Sequence, residues 1–596
     1  MKTILLNSPG GYPYMPYLAT PLLKGYVESV SNHSIDQADL NLDYNFYTWS
    51  SSAMLHAMDK IINLNFDDSE NLYYYTLCDY LNNNIERVYK HLKDKNTYKS
   101  RYKLENNLDI LHSVTKLINF IDKKNNYEKR IQPKNLNEIS ELIDNFDKSF
   151  CGEWIKLNIE DYNIYEYDVV GLSITYGEQL IPSLYIAKII KEKYPKIKIL
   201  IGGALTVHFK KEILSDKSIW DIVDFCIFYQ GEELLVELLN RIQSENLNDL
   251  INIAYFDGNN IKYDENLNKK SKAQAIPDFE GIDLNKFPTP SPIIPLLTSK
   301  GCYWKKCTYC SHFEGYGNSY YKFDNDIIID TIKVLKEKYD IEYFYFVDEA
   351  LPYKSMHKLS KYLIDNDIKI KWYGEARIDK VNNFTEFLKD FKESGCVYLV
   401  SGIESGNKKV LRDMKKGIDL ENVERHILDC YNLGIGTLGM FFVGFPTETN
   451  NESEDTFRFI NKNKEYLTYA TVGVFSLERG TEIYKEQDKF GIEYIQDYEK
   501  YYVDSPNYKL KSDLDICTYK QRLYKLKNLE SKYNDIKYKF TGEIHREGLI
   551  FLREMGGDIE QYIEQKESYR VKIKKGKFKN KEGIINPYKN QLKILR

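Results

Sequence analysis

The most informative stretch of the sequence is Gly301-Cys-Tyr-Trp-Lys-Lys-Cys-Thr-Tyr-Cys-Ser-His-Phe313. It holds three thiols, Cys302, Cys307 and Cys310, within nine residues, and it follows the apolar run Ile293–Leu297. This pattern predicts a strand that ends in a cysteine-bearing loop. Thiolates placed this closely bind a soft metal centre. Three protein thiolates would also leave one iron of a four-iron cube open to a substrate or cofactor.

A zinc site and disulfides are the alternatives to an iron–sulfur cluster. In a structural zinc site, His312 would be the fourth ligand. However, the chain lacks the second, distant Cys pair of a zinc ribbon, and His312 follows Cys310 by only two residues. Disulfides are disfavoured because the chain has nine Cys, an odd number, and no charged-then-apolar leader. The spacing alone leaves zinc open but favours an open iron–sulfur site.

The segment Cys302-x4-Cys307-x2-Cys310 resembles the cluster loop of the radical S-adenosylmethionine (SAM) enzymes. An aromatic residue directly before the last Cys belongs to that pattern, and Tyr309 occupies its position. The commonest family spacing has one residue fewer between the first two Cys than the four found here. The resemblance implies a [4Fe–4S] cluster on the three Cys, with the amine and carboxylate of SAM bound to the fourth iron.

Length and charge limit the other functions that the chain could have. At 596 residues it is long enough for two or three domains, and its formal net charge of −5 does not favour nucleic acid. No apolar run approaches the ~20 residues of a membrane span. Residues Met1–Pro9 are predicted to form a strand rather than a leader. These features predict a cytoplasmic protein with reduced thiols, no nucleic-acid partner and no membrane span.

Residues 1–280 are predicted to form an α/β domain with a Rossmann-like parallel sheet. Strand and helix patterns alternate at both ends of this segment, with a candidate second strand at Ile35–Leu42. Residues of about 43–150 carry apolar positions three or four apart and are predicted to be a helical insertion. Small residues end two of the later strands: Ser173, Thr175, Gly202 and Gly203. They would line the carboxyl edge of the sheet, where such folds bind ligands, or the glycines would simply make tight turns.

This first half resembles the cobalamin-binding domain that precedes the radical SAM core in one large class of these enzymes. The matching stretches are Asn7-Ser8-Pro9, Asp168–Thr175, Ile201–Ala204 and Gln230-Gly231-Glu232-Glu233. The resemblance implies cobalamin at Ser173, Thr175, Gly202 and Gly203. The chain has no Asp-x-His-x-x-Gly motif, whose His ligates cobalt in other cobalamin proteins, so no cobalt ligand is named.

Residues 288–488 alternate regularly between strand and helix patterns and are predicted to form a partial (β/α)6 barrel of the TIM type. In such barrels the site lies at the C-terminal rim of the strands, and polar residues follow several of the predicted strands here. Asp348 and Glu349, or the backbone beside them, could receive the amine of SAM. Glu404 and Ser405 could hydrogen-bond its ribose. Taken singly, each could instead be a solvated charge or part of a rim ion pair.

Two basic residues and a glycine complete the predicted SAM site. Arg377 or Lys416 could bind the SAM carboxylate. The segment Gly402-Ile403-Glu404-Ser405-Gly406 resembles the ribose-binding segment of the radical SAM family, and Gly444-Phe445-Pro446 resembles a later glycine-containing SAM contact. The resemblance also places Asp348-Glu349 at the end of the amine-binding strand, and it covers Pro295–Tyr484.

Residues 489–596 are predicted to be a smaller, mainly helical extension, because the strand–helix alternation ends there. A Lys-rich stretch follows Tyr569 and is typical of a solvated face. The sharper hypothesis is that the tail closes the open side of the barrel and contacts an acidic substrate, such as a peptide leader.

The resemblance implies a 5′-deoxyadenosyl radical that takes a hydrogen atom from an unactivated carbon, followed by methyl transfer from cobalamin. The substrate would be a peptide or a small molecule, and a flavodoxin or ferredoxin would supply electrons. A radical SAM cyclase or rearrangement enzyme is the alternative within the family. A non-enzymatic zinc- or cobalamin-binding protein is the alternative outside it.

Overall fold

The structure is a computed structural model of the 596-residue chain. It describes residues 1–63, 68–124, 136–267, 271–312, 315, 319–379, 384–496, 505–512, 518–542 and 544–557. The predicted fold class is confirmed: a parallel α/β sheet with a helical insertion precedes a second parallel sheet with crossover helices. None of the described helices combines the length and the apolarity that crossing a membrane requires.

The N-terminal sheet has seven strands in the order β2-β1-β3-β4-β5-β6-β7. The strands are β1 (Lys2–Asn7), β2 (Ser34–Asp39), β3 (Val169–Ser173), β4 (Lys198–Gly202), β5 (Phe225–Ile227), β6 (Ile253–Phe256) and β7 (Ile261–Lys262). The first five are parallel, so their carboxyl ends share one edge. The last two form an antiparallel hairpin.

Helices cover this sheet and form the predicted insertion. They are α1 (Ala19–Val30), α2 (Leu40–Thr48), α3 (Ser51–Ile62), α4 (Asp68–Asn82), α5 (Ile85–Lys93), α6 (Arg101–Lys124), α7 (Leu136–Asp144), α8 (Phe150–Asn158), α9 (Leu180–Lys193), α10 (Ala204–His208), α11 (Lys210–Ser215), α12 (Lys217–Trp220) and α13 (Gly231–Gln243). The strand expected at Ile35–Leu42 ends at Asp39. The Asp39 carboxylate accepts a hydrogen bond from the backbone N–H of Leu42 and thereby caps α2, so the last apolar residues become helix.

The second sheet has six parallel strands in the order β15-β14-β13-β12-β11-β8. The strands of this region are β8 (Ile293–Leu296), β9 (Ser299–Lys300), β10 (Tyr321–Lys322), β11 (Tyr343–Phe346), β12 (Lys371–Glu375), β13 (Cys396–Glu404), β14 (Gly436–Val443) and β15 (Tyr469–Val474). Its helices are α14 (Asn325–Tyr339), α15 (Tyr353–Asp365), α16 (Phe384–Glu393), α17 (Lys408–Asp413), α18 (Leu420–Asn432) and α19 (Asn450–Lys462). β8 and β15 are the edges, so the barrel is open, as a partial (β/α)6 barrel is expected to be.

Helix α20 (Glu482–Lys485) lies at the end of the predicted core. The C-terminal extension contains β16 (Ile492–Ile495), β17 (Tyr508–Leu510), α21 (Tyr519–Lys532) and α22 (Arg546–Glu554). The antiparallel pair β16–β17 is absent from the sequence prediction, because two strands of three or four residues carry too little periodicity to be recognised. The Lys-rich stretch and the rest of residues 558–596 lie outside the described residues.

Helix α22 packs on the inner face of the barrel sheet. The Phe551 ring lies 4.7 Å from the Tyr343 ring and 5.5 Å from that of Tyr98 in the helical insertion. The hydroxyl of Tyr398 donates a 2.8 Å hydrogen bond to the backbone carbonyl of Arg546. Because side chains alternate across a strand, Tyr343 points inward while Phe344 packs against the outer helices. The N-terminal unit and α22 therefore fill the barrel from the inside.

The turn between α16 and β13 has a glycine with a measurable steric role. Gly395 has φ +101°, and a Cβ there would lie 1.9 Å from the carbonyl oxygen of Ile370. Gly258, in the β6–β7 turn, has a similar φ of +96° with no atom within 4 Å of the Cβ position.

We expect Gly258→Ala to cost about 1 kcal/mol, which is the strain of the left-handed backbone. We expect Gly395→Ala to cost several times more, because the backbone of β12 must move. Thermal unfolding of both variants measures the difference, and equal losses would refute the steric role.

Candidate functional site

The three thiols lie in a loop whose two ends are paired. Ser299–Lys300 (β9) pairs antiparallel with Tyr321–Lys322 (β10), so the chain between them leaves and re-enters the rim beside β8. We call Gly301–Tyr320 the thiol loop; the structure describes its residues 301–312, 315, 319 and 320. The backbone N–H of Thr308 donates to the carbonyl of Met414 at 3.0 Å, and its carbonyl accepts from Ile483 at 3.1 Å. These bonds hold the middle of the loop on the barrel.

Cys302, Cys307 and Cys310 are free and half-buried. Burial raises the pKa of Cys310 to about 12. Burial also raises the pKa of Cys307, while the nearby cations of Lys416 and Arg377 act in the opposite direction. Among the residues that the structure describes, no three His, Cys, Asp or Glu side chains are close enough to bind a single metal ion together. In a four-iron cube each thiolate binds a different iron, so three free thiols in one loop are the donor set that such a cube needs.

Asp348 lies beneath the loop and supports its base. The carboxylate accepts hydrogen bonds from the backbone N–H and the hydroxyl of Thr298, the latter at 2.9 Å, and from the hydroxyl of Ser299 at 2.5 Å. It is fully buried, and burial raises the pKa of Asp348 to about 6. With its oxygens engaged in this way, Asp348 holds the end of β8 and leaves the neighbouring Glu349 at the surface of the rim.

Glu349 pairs with the histidine of the loop. Its Oε2 lies 2.8 Å from Nδ1 of His312, and this hydrogen bond raises the pKa of His312 to about 9. His312 is the fourth ligand of the zinc alternative, and here it is paired with a carboxylate. On the other side, the hydroxyl of Ser311 donates to Glu478 at 2.7 Å. The segment directly after Cys310 is therefore held by two carboxylates.

Glu404 and Lys416 form an ion pair beside Cys307. The distance from Nζ to Oε1 is 2.7 Å, and each side chain is 12% exposed. Glu404 has φ +69°, and the pairing register between β13 and β14 shifts at this point, so the bulge turns the carboxylate toward the loop. The hydroxyl of Tyr309 lies 3.5 Å from the same Nζ, and burial raises the pKa of Tyr309 well above its usual range.

Arg377 is held by three partners. Its Nε donates to Asp379 at 2.7 Å, its Nη2 donates to the carbonyl of Lys416, and its guanidinium lies 3.9 Å from the ring centre of Trp304. Trp304 in turn donates through Nε1 to the carbonyl of Lys415 at 2.9 Å. Arg377 therefore packs against the first half of the thiol loop.

The remaining predicted SAM contacts differ in accessibility. Ser405 is fully buried, and its hydroxyl accepts a 3.1 Å hydrogen bond from the backbone N–H of Asn407, so it stabilises the turn after β13. Gly444 has φ +86° with open space around its Cβ position, and its N–H donates to Glu448. Burial raises the pKa of Glu448 to about 7. Gly444 thus has open space on its Cβ side although its N–H is bonded to Glu448, whereas Ser405 is enclosed.

The predicted cobalamin residues lie at the carboxyl edge of the N-terminal sheet. Ser173 and Gly202 end the neighbouring strands β3 and β4. The backbone N–H of Thr175 donates to Oε1 of Gln179 at 2.9 Å. Gly203 has φ +112°, and a Cβ there would lie 2.4 Å from the carbonyl oxygen of Ile174, so its glycine is explained by a tight turn.

The two carboxyl edges face each other. Lys300, at the base of the thiol loop, binds Glu232 at the start of α13 with an Nζ–Oε1 distance of 2.6 Å. Arg479, after β15, binds Glu212 of α11 at 2.5 Å. The sequence analysis missed these pairs, since no local pattern links residues more than sixty positions apart.

Arg546 is a further rim residue that the sequence analysis missed. It begins α22, binds Glu375 at the end of β12, and donates through Nη1 to the hydroxyl of Tyr345 at 3.1 Å. Its side chain is 33% exposed although it lies inside the barrel. The sequence predicts a mainly helical extension in this region, but the insertion of α22 into the barrel leaves no signal in the sequence.

Residues 296–460 match the family model of the radical SAM superfamily. The match runs from the end of β8 into α19 and includes the thiol loop, which confirms the resemblance to radical SAM enzymes stated from the sequence. An uncharacterized methyltransferase of Pyrococcus horikoshii is 24% identical over 353 residues, which are 58% of this chain and 75% of that protein. Two other curated relatives, both anaerobic magnesium-protoporphyrin IX monomethyl ester cyclases, are matched over 47% and 53% of their own length.

Two solved structures share the fold over nearly the whole chain. The radical SAM methyltransferase TsrM from Kitasatospora setae, with tryptophan substrate and a SAM analog bound, is 12% identical with a TM-score of 0.55, covering 96% of this chain and 99% of TsrM. The cobalamin-dependent SAM radical enzyme OxsB, with aqua-cobalamin and SAM bound, is 14% identical with a TM-score of 0.56, covering 98% of this chain and 82% of OxsB.

The burial of Asp348 predicts a pH-dependent contribution to stability. An unfolded Asp ionises near 3.8 and the folded one near 6, so the native state holds the proton longer and stability falls as the pH rises between these values. Asp348→Asn loses acceptors for Thr298 and Ser299 and should cost about 1–3 kcal/mol. Asn cannot ionise, so only the wild type loses stability as the pH rises. The difference in the free energy of unfolding between wild type and variant should therefore shrink by roughly 1 kcal/mol between about pH 5 and about pH 7.5.

Thermal unfolding midpoints at both pH values measure this change. Asp326→Asn, at an exposed position in the first turn of α14, is the matched control and should change little at either pH. If the difference in thermal midpoint between Asp348→Asn and the wild type is the same at both pH values, the raised pKa of Asp348 is contradicted.

Proposed function

We propose that this protein is a cobalamin-dependent radical SAM enzyme that methylates an unactivated carbon of a peptide or small-molecule substrate. The arrangement of the two sheets is the observation that carries the proposal. The carboxyl edge of the N-terminal sheet, where an α/β fold binds its ligand, lies against the rim that holds the three thiols. A cofactor at the first edge would therefore face a cluster at the second.

Cys302, Cys307 and Cys310 would hold the [4Fe–4S] cluster. When bound, the cluster and SAM supply a 5′-deoxyadenosyl radical, and cobalamin supplies the methyl group. The role of the protein is to hold the loop in place. Paired β9 and β10 close its ends, and the Thr308 backbone fixes its middle.

Glu404 and Lys416 are the residues best placed to bind SAM. Each is partly exposed, they lie beside Cys307, and together they offer one carboxylate and one ammonium to a ligand that carries both charges. Glu349, which is 27% exposed, could take the amine of SAM in place of His312. Asp348 acts indirectly through the loop base, and Ser405 through the turn after β13.

Cobalamin would bind at the carboxyl edge of β3 and β4. Ser173, Thr175 and Gly202 are the contacts we propose, whereas Gly203 shapes the turn. The names of the relatives support this part of the proposal: the P. horikoshii protein is called a methyltransferase, TsrM is a radical SAM methyltransferase, and OxsB is cobalamin-dependent.

The interior of the barrel suits a reaction that must exclude water. Helix α22 fills its lower part, where Tyr343 and Tyr398 are buried, and the N-terminal unit covers the rim. Arg546 and Glu375, which are paired with each other, remain partly exposed and could contact the substrate. An external reductant, such as a flavodoxin or ferredoxin, would supply the electrons.

The thiols provide the first test. Cys307→Ala should bind less than a third of the iron of the wild type after anaerobic reconstitution and should lose SAM cleavage by at least about a hundredfold, because the cube loses one of its three protein ligands. Iron analysis and low-temperature EPR with and without SAM measure this. Cys151→Ala, at another half-buried thiol in the helical insertion, is the control and should behave as the wild type. Full iron loading of Cys307→Ala would refute the proposal that Cys307 binds the cluster.

The products distinguish methyl transfer from its alternatives. A methyltransferase should retain added hydroxocobalamin after desalting and should form S-adenosylhomocysteine together with 5′-deoxyadenosine. Formation of 5′-deoxyadenosine alone, without retained cobalamin, would replace methyl transfer by cyclisation or rearrangement. Stoichiometric zinc without a cluster would end the radical SAM proposal.

A further inference from the structure

The turn that links β5 to α13 in the N-terminal unit contacts both ends of the thiol loop. Glu232 binds Lys300, which precedes the loop, at 2.6 Å. Nε2 of Gln230 lies 3.5 Å from the hydroxyl of Ser319, near the end of the loop. Both contacts come from the turn between Tyr229 and Glu232, and we refer to these four residues as the clamp.

The ion pair between Lys300 and Glu232 is the most deeply buried contact of the clamp. The Lys300 side chain is 2% exposed and that of Glu232 8%. Nζ of Lys300 has one further hydrogen bond, to the carbonyl of Ala273 at 3.1 Å. An ammonium group buried to this extent is strongly destabilised once its carboxylate is removed. The base of the loop therefore depends on a residue that the N-terminal unit supplies.

The clamp itself is strained and incompletely bonded. Tyr229 has φ +67°, a conformation that is rare for a bulky residue and that marks sites under constraint. Its hydroxyl donates to Glu265 at 2.5 Å, which fixes the turn from the other side. Oε1 of Gln230 and Oε2 of Glu232 are buried without a hydrogen-bond partner among the described residues. Such costs are retained where position matters more than stability.

We propose that the clamp positions the thiol loop for cluster binding, with Glu232 and Gln230 as positioning residues that act through Lys300 and Ser319. The inference deepens the proposed function and rests on it for the identity of the cluster. The clamp follows β5, which pairs with β4, and Gly202 lies at the end of β4. Correct seating of the N-terminal unit would thus be a condition for correct placement of the three thiols.

Thiol reactivity in the metal-free protein tests the clamp. The full chain is treated with chelator and reductant under anaerobic conditions and then with iodoacetamide, and mass spectrometry follows each cysteine. The rates of Cys302, Cys307 and Cys310 are divided by that of Cys151, a half-buried thiol remote from the loop. In Glu232→Gln this ratio should rise about tenfold, because Lys300 leaves its buried position and the loop base opens. Glu232→Asp keeps the charge and should stay within about threefold of the wild type.

Asp43→Asn is the matched control. Asp43 binds Lys286 at 2.6 Å and so also joins the N-terminal unit to the segment before the barrel, but away from the loop. Its thiol ratio should equal that of the wild type. An unchanged ratio in a folded Glu232→Gln variant would overturn the proposal.

A second variant covers the case in which Glu232→Gln does not fold. Gln230→Leu removes only the contact with Ser319 and should raise the ratio about threefold at an unchanged thermal midpoint. If Glu232→Gln is unfolded and the ratio in Gln230→Leu is unchanged, the proposal is wrong. The measurement needs no cluster, SAM or cobalamin. Reactive thiols in the variants of a protein that never assembles a cluster would support the clamp while rejecting the proposed function.

Discussion

Parallel strands bring all their carboxyl ends to one edge of a sheet, and this protein places two such edges against each other. The first belongs to β1–β5 and the second to the six-stranded barrel. Loops that follow parallel strands can carry polar and irregular backbone without interrupting the sheet, which is why sites form there. Because two such edges face each other here, loops from both sheets border the same enclosed space. The thiol loop, the rim ion pairs and the clamp all lie within that space.

The barrel can be open because other parts of the chain occupy its interior. A six-stranded sheet leaves β8 and β15 with a strand neighbour on one side only and leaves inward-facing rings such as Tyr373 uncovered by the sheet itself. Tyr345, Tyr373 and Tyr398 stack with ring centroids 4.4 and 4.7 Å apart. Their hydroxyls meet Glu375, Glu547 and the Arg546 backbone. The buried phenols thus gain partners from α22, and the C-terminal extension becomes part of the core.

The sequence predicts the elements of both sheets well because their periodicity is strong and each strand ends in recognisable loop residues. It predicts the thiol loop because the three Cys are local. It fails where a partner is distant: neither Glu232 nor Arg546 carries a local signal of its contact. It also cannot separate Asp348 from Glu349, although one is buried under the loop and the other lies on the rim. Adjacent residues at a strand end point in opposite directions, and only the packing of β8 determines which one points inward. The strand predicted at Ile35–Leu42 is too long. Asp39 fits the strand pattern in the sequence, but in the structure its side chain caps α2.

Charge at the rim is balanced before any ligand binds. Lys416 is paired with Glu404, Arg377 with Asp379, and His312 with Glu349. A ligand that carries an ammonium and a carboxylate can replace one member of such a pair at each end, so that desolvation of the charges is offset by new ion pairs. Arg377 is the least suited to this exchange, because its guanidinium is also fixed by Trp304 and by the Lys416 carbonyl. The Glu404–Lys416 pair contacts the loop through the hydroxyl of Tyr309, which lies 3.5 Å from Nζ of Lys416 and is a weaker anchor. The exchange is therefore easiest beside Cys307, one of the three thiols that would hold the proposed cluster.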